Sequence, residues 1–364
     1  MQWRGKECSH FLFQTVVVLH IMRGPMRNAE QTALMGRYLP LYESGELGRR
    51  VDAAVEMLRA CRVCPHACGV DRFGSERGIC KTGWEIKVGA TVPHFGEEPP
   101  LVGTYGVGNL FVSSCNLKCK YCQNYDISHL RHGRDSTIDD LASCMLRLKA
   151  AGCRFVGWVS PSHVAPQLLA GLLRAVEQGF DRPIIYNTSS WDSLETLRLM
   201  DGVVSVYLPD LKYADDDVGL RLSGCKEYAR HSRAAVEEMY RQVGDLELDE
   251  FGLARSGLLV RHLVLPNDLA GSWDTLSWLR IELGRNIGVS VMSQYAPIAK
   301  VMGNVELNRC VTRDEYERVL DMVAQLGFRN VFTQEFEAQQ IGMPSFAERV
   351  PFDWPDRQNA ANVF

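Results

Sequence analysis

The sequence lacks two patterns, and each absence excludes a class of protein. It has no block of like charge: its 40 Lys and Arg and 44 Asp and Glu are dispersed and give a net charge of −4. The basic surface expected of a nucleic-acid-binding protein is therefore missing. It also has no apolar run long enough to span a membrane, because the apolar stretch His10–Met22 is too short. We expect neither nucleic acid nor a membrane as a partner.

The N-terminal region is expected to contribute little to the fold. No small-residue cleavage site follows His10–Met22, which disfavours a signal peptide. Our preferred interpretation is that translation starts at Met26 or Met35. A short amphipathic element packed on the core is the alternative. Residues 1–54 are thus predicted to be an N-terminal extension that is partly disordered or that begins upstream of the true start codon.

Cysteine is abundant, and its spacing argues against a disulfide framework. Seven of the twelve Cys fall into two tight groups, and the others are scattered: Cys8, Cys144, Cys153, Cys225 and Cys310. In a chain of 364 residues, clustered Cys indicate metal binding more than disulfides. This usage predicts a reducing compartment, and we expect a cytoplasmic protein.

The more informative group is the CxxxCxxC formed by Cys115, Cys119 and Cys122. A [4Fe–4S] cluster has four irons and is normally held by four Cys. Three Cys leave one iron open for a small molecule, in the way that catalytic metal sites keep an open position. A structural zinc site completed by His129 or His132 is the alternative.

The other group has no open position. Cys61, Cys64, Cys68 and Cys80 can close a tetrahedral zinc site or hold a complete [4Fe–4S] cluster, and the spacing does not decide between them. Either centre would be structural or electron-carrying. Residues 55–100 are predicted to form a small Cys-rich metal-binding module.

From about residue 105 onward, β-branched runs alternate with helical patterns. The runs show little strict alternation, as is typical of parallel strands buried on both faces. The predicted strands are Asn109–Ser114, Phe155–Ser160, Pro183–Asn187, Val203–Leu208, Leu258–Leu265, Val289–Ser293 and Asn330–Thr333. Repeated βα units predict either a (β/α) barrel or a doubly wound sheet.

Unusual polar residues follow seven successive strands. In βα barrels, the loops at the C-terminal ends of the strands build the active site, whereas a doubly wound sheet would collect the polar residues at one switch point. The barrel is therefore favoured. The strand-end segments are 115–122, 160–163, 187–190, 209–212, 266–267, 294–297 and 334–335.

These motifs, in this order, resemble the radical S-adenosylmethionine (SAM) enzymes, and within them the group similar to pyruvate formate-lyase-activating enzyme. The resemblance is to an uncharacterised branch with an N-terminal Cys module. It implies an incomplete (β/α)₆ TIM-type barrel over residues 101–345, followed by a tail at 346–364. It also implies an enzyme that cleaves SAM reductively and abstracts hydrogen from a substrate.

The resemblance assigns roles only where residues match. Cys115, Cys119 and Cys122 would hold the cluster, and Tyr121 would contact the adenine of SAM. Arg261 or His262 would contact SAM from the fifth strand. Residues that would bind SAM and a monovalent cation are Asn187, Thr188, Asp210 and Lys212.

One segment departs from the family pattern. Most radical SAM enzymes have Gly-Gly-Glu after the second strand, where this chain has Ser160-Pro-Ser162-His163. Hydroxyls and a neutral imidazole can still accept hydrogen bonds from the SAM ammonium.

The resemblance also implies partners. A reductant such as a flavodoxin or ferredoxin would supply electrons, and a glycyl residue of a partner enzyme is the suggested substrate. A non-catalytic protein that binds zinc or an Fe–S cluster and serves interaction is the competing hypothesis.

Overall fold

The computed structural model describes residues 34–298, 301, 303–336, 344–346, 348 and 351–352. The stretch His10–Met22, the start at Met26, Cys8 and most of the expected tail therefore lie outside the described residues. In the described part, no helix is both long and apolar enough to cross a membrane.

The described strands form one sheet that is mostly parallel. In chain order they are β1 (Ile86–His94), β2 (Val107–Val112), β3 (Arg134–Ser136), β4 (Val156–Val159), β5 (Ile184–Thr188), β6 (Val204–Pro209), β7 (Glu247–Leu248), β8 (Ala254–Leu263), β9 (Gly288–Met292) and β10 (Asn330–Thr333). Across the sheet the order is β10-β9-β8-β6-β5-β4-β2-β1-β3, and β7 pairs with β8. The pairs that link β2, β4, β5, β6, β8, β9 and β10 are parallel, whereas β1 runs antiparallel to β2 and β3, and β7 runs antiparallel to β8.

Helices connect the parallel strands. They are α1 (Leu39–Glu43), α2 (Glu46–Glu56), α3 (Pro99–Val102), α4 (Tyr125–Ser128), α5 (Ile138–Ala150), α6 (Ala165–Val176), α7 (Leu194–Leu199), α8 (Asp216–Ser223), α9 (Tyr228–Val243), α10 (Ser272–Glu282) and α11 (Arg313–Leu326). Two begin with a capping box. Thr137 exchanges hydrogen bonds with Asp140 at the start of α5, as Thr312 does with Glu315 at α11. Each box satisfies amide groups that a helix start leaves unpaired.

The parallel part of the sheet curls around an apolar interior. One buried cluster combines Val107 of β2, Ile185 of β5 and Leu259 of β8, and Phe332 of β10 packs against it. Since the first and last parallel strands contribute to the same cluster, the sheet must curve around it. The strand order places β2 and β10 apart, so the barrel is open between them. This confirms the predicted α/β partial barrel, with seven parallel strands instead of six.

The segments before the barrel pack on its outside. Leu47, Val51 and Ala54 are buried on one face of α2 and join the main core. Their spacing is that of an amphipathic helix. Residues 57–85, which carry the first Cys group, contain no helix or strand.

Candidate active site

The C-terminal ends of the parallel strands meet around one cavity of about 320 Å³. This volume lies in the range of small-molecule and cofactor sites. Three Cys and the ends of successive strands form its walls. The strand-end residues that line it include Ser160, Asn187, Thr188, Asp210, Lys212, Arg261, Gln294 and Gln334.

The segment Cys115–Cys122, here called the cluster loop, leaves β2 through a sharp turn. Ser114 has φ +70°, in the left-handed region that L-residues rarely adopt, and its amide donates to the Ile127 carbonyl at 2.8 Å. The turn directs the loop over the cavity. Cys115 and Cys119 are each 8% exposed, and Cys122 is half-buried. All three line the cavity.

Each sulfur of the cluster loop accepts one hydrogen bond. The Leu117 amide donates to Cys115 Sγ at 3.4 Å, the Ser223 hydroxyl to Cys119 Sγ at 3.0 Å, and the Ser128 hydroxyl to Cys122 Sγ at 3.2 Å. Such donors stabilise thiolate character and tune the potential of an Fe–S cluster. The spacing of the Cys motif gave no sign of Ser128 or Ser223.

Without a metal, these thiols are held in their protonated form. Burial, with smaller effects of the neighbouring thiols, raises the pKa of Cys115 to about 12. Burial and Cys119 raise that of Cys122 to about 11. Metal binding would replace these protons, as thiolate ligation requires. Three thiols, each with a hydrogen-bond donor at its sulfur, around a cavity of this size therefore suit a cluster with an open iron.

A single metal ion is a different case. In the described part of the chain, no group of three or more His, Cys, Asp or Glu side chains forms a site for a single metal ion. A cluster binds each thiolate through a separate iron, so its ligands need not converge on one point. His129 also lines the cavity, with its ring stacked on Tyr125 at a centroid distance of 4.5 Å.

Within the cluster loop, a chain of hydroxyls connects Tyr121 to the sulfur of Cys119. Tyr121 Oη lies 2.6 Å from Tyr213 Oη, which lies 2.7 Å from the Ser223 hydroxyl that donates to Cys119. All four residues are buried. The Tyr121 ring packs edge-on against Tyr295 at 5.7 Å. Tyr121, the residue predicted to contact adenine, is thus held in one orientation, at its hydroxyl by Tyr213 and at its ring by Tyr295.

A half-buried ion pair lies beside Cys119. Lys212 Nζ is 2.7 Å from Asp210 Oδ2, and both residues line the cavity. Burial alone would lower the pKa of Lys212, but Asp210 and Cys119 outweigh it and raise the pKa. Lys212 therefore stays cationic, next to the sulfurs that would carry a cluster.

A second charged group lines the cavity, and sequence reasoning missed its acidic members. Arg261 is enclosed by Glu97 and Glu98, and its Nε donates to Glu98 Oε1 at 2.7 Å. Asn109 Nδ2 donates to Glu97 Oε1 at 2.6 Å. Gly157 leaves room for this contact, because a Cβ there would lie 2.3 Å from Asn109 Oδ1. The sequence signal that could have identified these acidic residues is the adjacent pair Glu97-Glu98 directly before Pro99-Pro100.

The charge of Glu97 follows from its neighbours. Burial would raise its pKa, but Arg261 and His94 outweigh burial and hold the pKa of Glu97 well below its usual range. Glu97 is therefore ionised, and it neutralises part of the charge that Arg261 brings into the barrel.

Three predicted SAM contacts lie away from the cavity. Ser162 is buried and its hydroxyl lies 2.9 Å from that of Thr188. His262 is buried between the Leu211 carbonyl at 3.0 Å and the Ser272 hydroxyl at 2.9 Å. His163 lies 3.0 Å from the Ser113 carbonyl through Nε2 and lines the cavity of the first Cys group. Of the Ser160–His163 segment, only Ser160 lines the main cavity.

The first Cys group gathers at its own site. Cys61, Cys64, Cys68 and Cys80 line a small cavity of about 10 Å³. None of the described cysteines forms a disulfide. The structure thus separates the two groups: the cluster loop faces the main cavity, and the four-Cys group faces the second.

Comparison with known proteins adds sequence relatives. No family model matches the chain. An uncharacterized protein of Methanocaldococcus jannaschii is 29% identical over 284 residues, which covers 76% of this chain and 78% of that protein. The pyruvate formate-lyase-activating enzyme of Clostridium pasteurianum is 24% identical over 162 residues, 43% of this chain and 61% of the enzyme. The chain is similar to the pyruvate formate-lyase-activating enzymes. This confirms the resemblance that the motifs predict.

Solved structures with similar topology include radical SAM enzymes. Streptococcus suis SuiB bound to S-adenosylmethionine has a TM-score of 0.42 at 14% identity, over 62% of this chain and 50% of SuiB. A radical SAM methyltransferase from Sphaerobacter thermophilus has a TM-score of 0.40 at 14% identity, over 63% of this chain and 66% of that chain. Methylornithine synthase has a TM-score of 0.41 at 14% identity, over 84% of this chain and 83% of that enzyme. The chain spans half the length of SuiB.

Proposed function

We propose that this protein is a radical SAM enzyme. One observation carries the proposal: the three thiols of the cluster loop line one cavity together with the ends of the other parallel strands. Three ligands leave one iron of a [4Fe–4S] cluster open, and the cavity has room for a small molecule beside it. When bound, the reduced cluster would supply the electron that cleaves SAM to methionine and a 5′-deoxyadenosyl radical.

The residues around the cavity would hold SAM in place. Tyr121, fixed by Tyr213 and Tyr295, offers an aromatic edge and face for the adenine. Lys212 would attract the SAM carboxylate. Asp210 and the Asn187 side chain offer hard oxygens, which suit a monovalent cation beside that carboxylate.

The carboxylate that the family supplies after the second strand has a candidate substitute. Glu97 and Glu98 reach the same cavity from the segment before α3. They are both paired with Arg261, and Glu97 also lies 3.1 Å from His94 Nδ1, so the group has one negative charge in excess when the His94 imidazole is neutral. An excess negative charge would attract the positively charged sulfonium and ammonium groups of SAM.

We further propose a glycyl residue of a partner protein as the hydrogen donor. The sequence match to a pyruvate formate-lyase-activating enzyme and the Cys119-Lys-Tyr-Cys122-Gln-Asn124 segment support this. An external one-electron donor such as a flavodoxin or ferredoxin would reduce the cluster. The abundance of unpaired thiols is consistent with the reducing cytoplasm.

The test is product formation. The protein is reconstituted anaerobically with iron and sulfide, reduced with dithionite, given SAM and assayed for 5′-deoxyadenosine. We expect product from the natural chain and none from C119A. The matched control is C144A, which removes a buried thiol on α5 that does not line the cavity and should leave product formation unchanged.

Two outcomes would contradict the proposal. An iron-replete natural chain that makes no 5′-deoxyadenosine would favour the metal-binding interaction protein. Activity in C119A would refute the assignment of Cys119 as a ligand.

A further inference from the structure

Four cysteines outside the main cavity line a second cavity of their own. Cys61, Cys64 and Cys80 are each 7–8% exposed, Cys68 is half-buried, and all four line the second cavity. Gly78 allows the close approach, because a Cβ at this position would lie 2.7 Å from Cys68 Sγ. Four thiols that share one cavity and form no disulfide are a complete donor set for a [4Fe–4S] cluster, whose thiolates need not converge on a single ion.

Apolar side chains anchor the segment that carries these thiols, since Met57, Leu58 and Val63 belong to the main core. Residues 57–85 form neither helix nor strand. Short turns close around the Cys: the Cys61 amide donates to the Val70 carbonyl at 2.9 Å, and the Ala67 amide to the Cys64 carbonyl at 3.0 Å. A stretch of this length without regular structure is uncommon in a compact domain. A bound metal would supply the missing cross-links, as it does in small metal-stabilised modules.

The same segment contacts the loops that build the main cavity. His66 Nε2 lies 2.8 Å from the carbonyl oxygen of Asn116, which stands within the cluster loop. Arg72 is 1% exposed and donates to the His163 carbonyl at 2.6 Å. Thr196, at the start of α7, donates to the Val63 carbonyl at 2.8 Å. The Cys-rich segment therefore packs against the segments that follow β2 and β4 and against α7.

We propose that Cys61, Cys64, Cys68 and Cys80 bind a second metal centre through four thiolates, and that this centre fixes the cluster loop through His66. Each thiol loses its proton to solvent as it binds the metal. The closed donor set leaves no position for a substrate, so the centre supports the site and does not react in it. The metal is iron, held with inorganic sulfide as a [4Fe–4S] cluster, because the described side chains form no site for a single ion.

The first experiment isolates the second centre. In a variant with Cys115, Cys119 and Cys122 all changed to Ser, only the four-Cys group remains. The variant is supplied anaerobically with iron, sulfide and zinc, desalted and analysed for metals. We expect about four irons per chain, and X-ray absorption at the iron edge should show sulfur as the only protein ligand. Binding of one zinc in place of iron would contradict the cluster assignment.

The controls separate ligands from other cysteines. A further C64S change should remove the metal, whereas C310S, at a half-buried Cys outside both cavities, should retain it. A triple variant that has normal far-ultraviolet circular dichroism and binds neither metal would overturn the proposal. Because no SAM is involved, this result is independent of the proposed enzyme activity.

The second experiment tests the link to the cluster loop. H66F keeps an aromatic ring against Trp191, which His66 contacts at 5.6 Å, but removes the hydrogen bond to Asn116. We expect the iron of the cluster loop to pass to a chelator about fivefold faster, the factor typical of one lost hydrogen bond. H231F is the matched control, since the His231 ring also contacts Trp191, at 5.0 Å, and its Nε2 lies 2.9 Å from Arg230 Nη2. An unchanged rate in H66F would refute the anchoring role.

Discussion

Replacing Ser223 with alanine should lower the reduction potential of the cluster held by Cys115, Cys119 and Cys122. The Ser223 hydroxyl donates to Cys119 Sγ at 3.0 Å, and both residues are buried. A hydrogen bond to a cluster sulfur stabilises the more negative, reduced state more than the oxidised state. Removing the donor therefore makes reduction harder, and the potential falls.

The size of the effect follows from hydrogen-bond energies. A hydrogen bond to a charged group contributes about 1.5–3 kcal/mol. Cys119 carries thiolate charge in both oxidation states of the cluster. The potential therefore depends only on the difference in hydrogen-bond energy between the reduced and the oxidised state, which we take as about 1 kcal/mol. For a one-electron couple, about 59 mV corresponds to a tenfold change in the equilibrium constant. The expected fall is therefore about 40 mV.

The assay is a redox titration followed by electron paramagnetic resonance at low temperature. S232A is the matched control: Ser232 is also buried, but its hydroxyl bonds to the Ala229 carbonyl on α9. Y213F should give a smaller fall than S223A, because it removes the hydroxyl that orients Ser223 and leaves the donor itself. An unchanged or raised potential in S223A would refute the reasoning.

Three further predictions follow. T137A removes the capping box of α5 and should lower the free energy of unfolding by about 1 kcal/mol in urea titration, with metal content unchanged; an unaltered midpoint would contradict it. Y121L removes the aromatic ring and its hydroxyl. It should weaken SAM binding in equilibrium dialysis by about tenfold, which corresponds to a loss of about 1.4 kcal/mol of binding free energy; equal affinity would show that the ring makes no contact with SAM. E97Q leaves Arg261 with less neutralisation and should destabilise the fold by about 3 kcal/mol at pH 7. Because the pKa of Glu97 is lowered by folding, this difference should shrink as the pH falls below about 4, and a pH-independent difference would argue against it.

The strands could be predicted well because their signal is local. Most of the parallel strands are buried on both faces, β10 being only half-buried, and each shows as a short apolar run, so the predicted positions overlap all seven observed strands. The predicted bounds differ by a few residues where a strand merges into its loop. For example, β8 begins at Ala254, four residues before the predicted start at Leu258.

The cavity wall was predictable only in part, because it depends on contacts between distant segments. Glu97 and Arg261 are more than 160 residues apart, and no local pattern connects them. Ser223 reaches Cys119 across 104 residues. His163 was expected beside SAM, but a four-residue 3₁₀ turn, Pro161–Val164, with Ser160 in the left-handed region turns it toward the four-Cys group. Spacing identifies ligand sets well, while the groups that tune them come from the tertiary fold.

The most direct test of the central claim is the electron paramagnetic resonance spectrum of the reduced protein before and after SAM is added. If the three-Cys set leaves an iron open to SAM, the g values of the reduced cluster should change on addition. The C61S/C64S/C68S/C80S variant, which retains only the cluster loop, should show the same change if it folds. A spectrum that is identical with and without saturating SAM would contradict the account.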